Sequence, residues 1–132
     1  MRLLRADLDL HNGRLAEVAA RLDEPAGTDM WWQTTYEATR AEALVRADDP
    51  RASDALAAAQ ASIGDHGYAT GILLRARGLR DRDDGLLQRA VAQFDQIECP
   101  YQAARTRWLV GDAERARAEE ALERLGATPP AE

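Results

Sequence analysis

Residues 83–97, with the sequence DDGLLQRAVAQFDQI, decide the fold class of this chain because their apolar side chains recur at helical spacing. The apolar positions lie three or four residues apart and line one face, whereas the opposite face is polar. The apolar face consists of Leu86, Leu87, Ala90, Val91, Phe94 and Ile97. The polar face consists of Gln88, Arg89, Gln93, Asp95 and Gln96. This pattern predicts an amphipathic α-helix that buries one side against other helices.

Turn-forming residues on both sides of this segment divide the chain into helices. Pro100 is expected at the first position of the next helix, which Gly111 ends before a partner helix at about 113–125. Upstream, helices are predicted at about 30–47, 51–63 and 65–80. No stretch alternates apolar and polar residues with period two, and none is rich in β-branched residues. The predicted fold class is therefore all-α.

The predicted helices form antiparallel pairs within a single domain over residues 1–132. The pairs cover approximately residues 1–24, 29–63, 65–97 and 100–126, and residues 127–132 form a tail. Thr28 and Asp29 are expected to cap the second pair, and Asp65 is expected to cap the third. Gly126 is the expected C-terminal cap of the last helix.

The composition favours helices with a thin core. Only 24 of the 132 residues are Leu, Ile, Val or Phe, about 18% and below the rough 20% that accompanies disorder in highly charged chains. Substantial disorder is therefore an alternative. It is opposed by the modest net charge of -6 and by 27 alanines, which favour helix but bury little area each.

The charge balance excludes two classes of partner. A net charge of -6 and a pI near 5.0 argue against nucleic acid and against anionic membrane surfaces. All 17 basic residues are Arg, which we attribute to a genome of high G+C content. No apolar run is long enough to span a bilayer and no signal peptide opens the chain, so we expect a bacterial cytoplasmic protein.

The helix pairs share a register that indicates an internal repeat. Tyr36, Tyr68 and Tyr101 each lie near the start of a pair, separated by 32 and 33 residues. The pairs close on Ile63, Ile97 and Leu125. A helix-turn-helix unit of this length is typical of tetratricopeptide repeats. Such units bury their apolar faces by stacking, so we expect a short tetratricopeptide-like solenoid.

The stretch from Tyr68 to the C-terminus resembles the tetratricopeptide-like C-terminal region of large bacterial signal-transduction ATPases, many with a LuxR-type DNA-binding domain or a nucleotide cyclase domain. The segments LLRARGLRD, LLQRAVAQF, CPYQAARTRWLVGD and ALERLGA carry the resemblance. It implies a helical sensor or scaffold arm without catalysis. The phosphate-binding ATPase motif and the helix-turn-helix reader of those proteins are absent from this sequence, and the repeats lack the usual Trp-x-x-Leu-Gly signature.

The residues that could carry chemistry are better explained by structural roles. His11 and His66 have no ligand at metal spacing, so both are interpreted as surface or capping histidines. Cys99 is interpreted as a structural thiol because no base is placed near it. The acidic turn at residues 81–84 and the pair at 48–49 are interpreted as helix caps rather than cation sites. The sequence therefore predicts a protein that is not an enzyme and has no metal or cofactor.

The predicted function is a non-catalytic protein-interaction or scaffold module that holds a protein or peptide partner. Candidate partner-binding residues are Trp31, Trp32, Gln33, Arg40, Arg75, Gln102 and Arg107. They lie at the start or along the first helix of a pair, and first helices line the concave face of a solenoid. Trp31 and Trp32 cannot both face one core stripe, whereas Tyr101 and Trp108 are expected in the core.

Three other interpretations remain open at the sequence level. No separate capping helix is visible after Leu125, so the terminal face of the last helix is expected to meet another protein or a second copy in a homo-oligomer. The chain could instead be a detached ligand-sensing arm of a bacterial signalling ATPase or transcriptional regulator. An all-helical enzyme would require clustered carboxylates or histidines in a pocket.

Overall fold

The computed structural model describes the backbone of residues 30–128 and the side chains of residues 33–128. This part of the chain contains helices and no strand, which confirms the predicted all-α class. The helices are α1 (Met30–Arg46), α2 (Ala52–Ser62), α3 (Gly67–Asp81), α4 (Asp84–Gln96), α5 (Pro100–Val110) and α6 (Asp112–Arg124). The predicted pair at 1–24, the Thr28–Asp29 cap and residues 129–132 of the tail lie outside the described residues.

Neighbouring helices pack as three successive pairs, α1 with α2, α3 with α4, and α5 with α6. The pairs are joined differently. The first helix α1 also packs along α3, whereas α4 packs along α5. The contact between α2 and α3 is much smaller, so these two sequential helices stay apart over much of their length.

The C-terminal ends of the helices share a backbone feature. Residues with positive φ follow the described helices at Asp48, Gly64, Arg82, Glu98, Gly111 and Gly126. After four helices, the amide directly after the positive-φ residue donates to a carbonyl five positions earlier, at 2.8 to 3.0 Å: Asp49 to Leu44, Asp83 to Gly78, Cys99 to Phe94 and Ala127 to Leu122. These bonds define Schellman motifs and satisfy carbonyls that the helix leaves unpaired. The expected cap at Gly126 is confirmed.

The helix starts confirm two of the three expected caps that fall in the described region. Pro100 occupies the first turn of α5, and the side chain of Asp83 accepts a hydrogen bond from the Leu86 amide at 3.2 Å. The expected cap at Asp65 is wrong. Helix α3 begins one residue later than that cap requires, and His66 Nδ1 accepts the hydrogen bond from the Ala69 amide at 3.1 Å.

The core is rich in alanine and is centred on α1 to α4. Ala38, Ala41, Leu44, Ile72, Ala76 and Phe94 are among its fully buried members. Gly71 lets α3 approach α4 closely, since a Cβ at this position would lie 2.6 Å from the Phe94 ring. The small side chains of α1 and α3 thus permit the short interhelical distances that the sequence composition favours.

The buried face of α5 differs from the predicted one. The interior residues are Gln102, Ala103, Ala104, Arg105 and Thr106, whereas Tyr101, Trp108 and Leu109 are half-buried. Trp108 lies beneath the guanidinium of Arg115, whose Cζ is 5.0 Å from the ring centroid. The prediction that Tyr101 and Trp108 are core residues is therefore wrong in part. A polar stripe replaces them because it finds hydrogen-bond partners inside the protein.

Candidate partner-binding site

The first helices of the three described pairs meet around a buried ion cluster. Glu42 on α1 accepts two hydrogen bonds from Arg75 on α3, at 2.6 Å from Nε and 3.1 Å from Nη2. Arg105 on α5 donates to the same carboxylate from Nη2 at 3.3 Å. Each of the three side chains is about 1% exposed. The paired Arg75 geometry is the bidentate arrangement that a carboxylate favours.

A second set of polar contacts completes the surroundings of Arg75. Its Nη1 donates to Gln102 Oε1 at 2.7 Å and to Thr106 Oγ1 at 3.1 Å. Gln102 Nε2 in turn donates to the Tyr68 hydroxyl at 2.8 Å, and the Arg75 guanidinium lies 5.3 Å from the centroid of the Phe94 ring. The buried charge is thus satisfied by hydrogen bonds on most sides, as burial requires.

The electrostatics of this cluster hold Glu42 in its ionised form. Burial by itself raises the pKa of the Glu42 carboxyl, but the nearby charges of Arg75 and Arg105 outweigh that effect. The hydrogen bond from Arg75 acts in the same direction, so the pKa lies below its ordinary value. The carboxylate is therefore charged at neutral pH and pairs with two interior arginines.

This cluster removes two of the predicted partner-binding residues from the surface. Arg75 and Gln102 are 1% and 3% exposed, and they contact each other inside the helix stack. Sequence reasoning missed Glu42, Arg105 and Thr106. A signal was present, because Glu42 and Arg75 are 33 residues apart, the same spacing that separates Tyr68 from Tyr101.

The other predicted residues lie apart from this cluster. Gln33 is exposed and donates from Nε2 to Glu37 Oε1 at 3.2 Å. Arg40 is half-buried. Arg107 pairs with Asp95 across the α4–α5 junction, with Nη2 2.7 Å from Oδ2. The side chains of Trp31 and Trp32 lie outside the described residues.

An open cleft of about 280 Å³ lies between α2 and α3, where the second helix of one pair faces the first helix of the next. Helix α2 contributes side chains from one face, at positions separated by three, four and seven residues: Ser53, Leu56, Ala57 and Gln60. Helix α3 contributes Arg77 and Arg80, one turn apart. Leu56 is buried and provides an apolar floor, whereas Ser53 and Gln60 are exposed hydrogen-bonding groups.

The two arginines of the cleft differ in their surroundings. Arg80 pairs with its neighbour Asp81, at 2.9 Å from Nε to Oδ1. The hydrogen bond from Arg80 lowers the pKa of the Asp81 carboxyl more than burial raises it, and the charges of Arg80 and Arg77 lower it further. Arg77 is half-buried and, among the described residues, makes no hydrogen bond or ion pair. A guanidinium in this setting is available to bind a carboxylate through two parallel hydrogen bonds, in the bidentate manner.

Sequence reasoning did not identify this cleft. It selected Arg75 from helix α3, although Arg77 and Arg80 are the arginines of that helix that line a cavity. The available signal was weak: two arginines one turn apart on a helix whose other positions are mostly apolar or small.

The residues with possible chemical roles behave as structural elements. His66 caps α3, as a surface or capping histidine was expected to do, whereas His11 lies outside the described residues. Cys99 is a half-buried thiol directly before α5. Across the described ranges, no group of three or more His, Cys, Asp or Glu side chains could hold a metal ion.

Between residues 30 and 128, no helix combines the length and the apolar character that crossing a bilayer demands. Compared with known proteins, the chain matches no family model, no curated protein and no solved structure.

Proposed function

We propose that this chain is a non-catalytic protein-interaction module of tetratricopeptide type, which holds a segment of a partner protein in the cleft between α2 and α3. The observation that carries the proposal is the cleft itself. It is open to solvent, has an apolar floor at Leu56, and contains the guanidinium of Arg77, which makes no hydrogen bond or ion pair within the described part of the chain. A few polar groups above an apolar base are typical of recognition sites.

Side-chain contacts between the first helices of the pairs support the tetratricopeptide part of the proposal. Glu42, Arg75 and Arg105 belong to the first helices of consecutive pairs, and they meet in one cluster. A repeat protein joins each unit to its neighbours through such shared contacts. The cleft then lies at a junction between units, where a partner would contact two repeats at once.

A matched pair of exposed alanines provides the test. Ala57 lines the cleft on α2, whereas Ala92 lies on the exposed side of α4. Peptides are selected from a displayed random library on the wild-type protein and are then measured against Ala57→Trp and Ala92→Trp. The indole at position 57 fills the cleft, so we expect it to abolish binding while the variant at position 92 binds normally. Equal binding by both variants would refute the proposal.

A ligand-sensing arm of a bacterial signalling ATPase or transcriptional regulator is the second candidate function. The size of the cleft favours it, because about 280 Å³ is close to the lower bound of roughly 300 Å³ for small-molecule pockets. The test is a thermal-shift screen of metabolites. This function requires a compound that raises the melting temperature of the wild-type protein but not that of Ala57→Trp.

Self-association through the last helix is part of the same proposal. Leu125, at the end of α6, is 45% exposed. Sedimentation velocity over a range of concentrations tests it, with Leu125→Glu as the comparison. A wild-type chain that stays monomeric at the highest concentration excludes this mode.

A further inference from the structure

The α2–α3 cleft has a charge that contrasts with that of the whole chain. The protein has a net charge of -6, yet the ionisable side chains that line this cleft are the arginines Arg77 and Arg80. Arg80 already contacts Asp81, but both side chains of that pair are more than a third exposed, and exposed pairs of this kind contribute little. Both arginines also act on the Asp81 carboxylate, so the two arginines and Asp81 together leave one positive charge uncompensated at the cleft.

The shape of the cleft favours an extended group of ligand atoms over a single compact anion. Ser53 and Gln60 are seven residues apart on α2, which corresponds to about 10 Å along a helix axis. Arg77 and Arg80 are separated by about 4.5 Å along α3 by the same measure. These groups are distributed along a slot, whereas a phosphate is bound by donors that converge on one point.

The partner chemistry follows from these two features. This inference rests on the proposed function. We infer that the partner segment is acidic and that two of its carboxylate side chains bind Arg77 and Arg80. An apolar side chain between these two carboxylates packs on Leu56. Arg77 binds one carboxylate in the bidentate manner that its planar guanidinium allows. Arg80 binds the second carboxylate while it still contacts Asp81.

Asp81 limits the negative charge that this site accepts. Its carboxylate lies 2.9 Å from Arg80, so it opposes any second anion that binds there. A doubly charged phosphate group is repelled more strongly by Asp81 than a carboxylate is, but it is also attracted more strongly by the two arginines, so charge alone does not separate the two anions. The extended shape of the cleft is the feature that favours a segment containing Glu or Asp.

The experiment measures fluorescence anisotropy of a labelled, C-terminally amidated peptide with the core Glu-Leu-Ala-Glu, binding to the whole chain. A second peptide replaces both Glu residues by Gln, and a third keeps Gln but ends in a free carboxylate. We expect the Glu peptide to bind roughly tenfold more tightly than either Gln peptide, the difference that one charge-assisted hydrogen-bonded pair supplies. Binding should weaken as salt is added.

Arg77→Gln and Arg89→Gln provide the matched variants. Both remove one positive charge from a helix surface, but Arg89 is exposed on α4, away from the cleft. We expect Arg77→Gln to weaken binding of the Glu peptide roughly tenfold and Arg89→Gln to leave it unchanged. Melting curves of both variants verify that the fold is intact, and Arg77→Lys, which keeps the charge but loses the planar fork, should bind at an intermediate level.

The outcomes separate this inference from the proposed function. If library peptides bind in a manner that Ala57→Trp blocks, but Glu and Gln peptides bind equally, the acidic partner is wrong and the interaction module stands. If Ala57→Trp changes nothing, both fail. Tighter binding of the peptide with the free C-terminus, displacement by inorganic phosphate at millimolar concentration, or self-association that Arg77→Gln abolishes would each overturn the inference by identifying another occupant.

Discussion

Glu42 shows how one interior carboxylate fixes the side chains around it. It faces Arg75 and Arg105 at 1% exposure, so the three groups compensate one another where water cannot. Replacing such a cluster by apolar side chains is often harmless, but removing a single member leaves charge buried without a partner. The cluster is therefore sensitive to the loss of any one of its residues.

Glu42→Gln should destabilise the fold by about 3–5 kcal/mol, because two buried guanidinium groups then lose the carboxylate that they share. Urea unfolding followed by circular dichroism measures this loss. Glu119→Gln, at an exposed position on α6, is the control and should unfold at the wild-type midpoint. A variant at position 42 that unfolds like the control would show that the cluster contributes nothing to stability.

The depressed pKa of Glu42 also fixes the direction of the pH dependence. In the unfolded chain this carboxyl titrates near 4.5, and in the folded protein it titrates lower. Its contribution to stability is therefore complete above pH 4.5 and is lost as the pH falls through the folded pKa. Asp49 behaves in the same way, since hydrogen bonds from Arg51 lower its pKa from 3.8 to about 2.

Urea midpoints of the wild type should accordingly fall as the pH is lowered from 4.5 toward about 2. In Glu42→Gln the fall over this range should be smaller, because one of the responsible carboxyls has been removed. Parallel pH profiles for the two proteins would contradict the assignment of the acid sensitivity to Glu42.

At the scale of the helices, close packing between α3 and α4 depends on a missing side chain. A Cβ at Gly71 would lie 2.6 Å from the Phe94 ring, and α4 would have to move. Gly71→Ala should therefore destabilise the protein by about 1–3 kcal/mol, although alanine is the better helix former. In the Phe94→Leu background, Gly71→Ala should lower the free energy of unfolding by less than it does in the wild type. A double-mutant cycle measures this difference. Additive effects would argue against a direct clash.

At one helix end, replacing a residue by glycine should stabilise the protein. Glu98 has a φ of 57° after α4, a conformation that costs L-residues about 1–2 kcal/mol and glycine nothing. Glycine also increases the conformational entropy of the unfolded chain, which offsets part of this gain. Glu98→Gly should therefore stabilise the protein by about 0.5–1 kcal/mol. Glu119→Gly, inside α6, should lose about 1 kcal/mol and serves as the control. Thermal melting distinguishes the two, and a lower melting temperature for the variant at position 98 would contradict the expectation.

The helices were predictable from sequence because their limits depend on local chemistry. Pro100, Asp83 and Gly126 mark helix ends through effects that reach only a few residues, and all three act as expected. The cap of α3 was assigned to Asp65 rather than to His66 because aspartate, unlike histidine, is among the usual capping residues. The buried face of α5 was mistaken because hydrophobic periodicity assigns Arg105 to the outside, and only its partners on other helices reverse that assignment.

For the whole molecule, the sequence predicted the all-helical class and the order of the described helices but not the α2–α3 cleft. The position of Arg75 in the first helix of a pair suggested a groove, yet its carboxylate partner is 33 residues away in the chain. The α2–α3 cleft depends on how far two sequential helices diverge, a geometric property that no residue pattern encodes. Arg77 can be recognised as a candidate binding residue only when the cleft between α2 and α3 is known.

The ion cluster also determines which helices open together in the native state. Glu42, Arg75 and Arg105 connect α1, α3 and α5, so separating any of these helices exposes the same set of charges. Amide protons in these three helices should consequently exchange with deuterium through one shared opening event, whereas α2 and α6, which contribute no member, can fray independently.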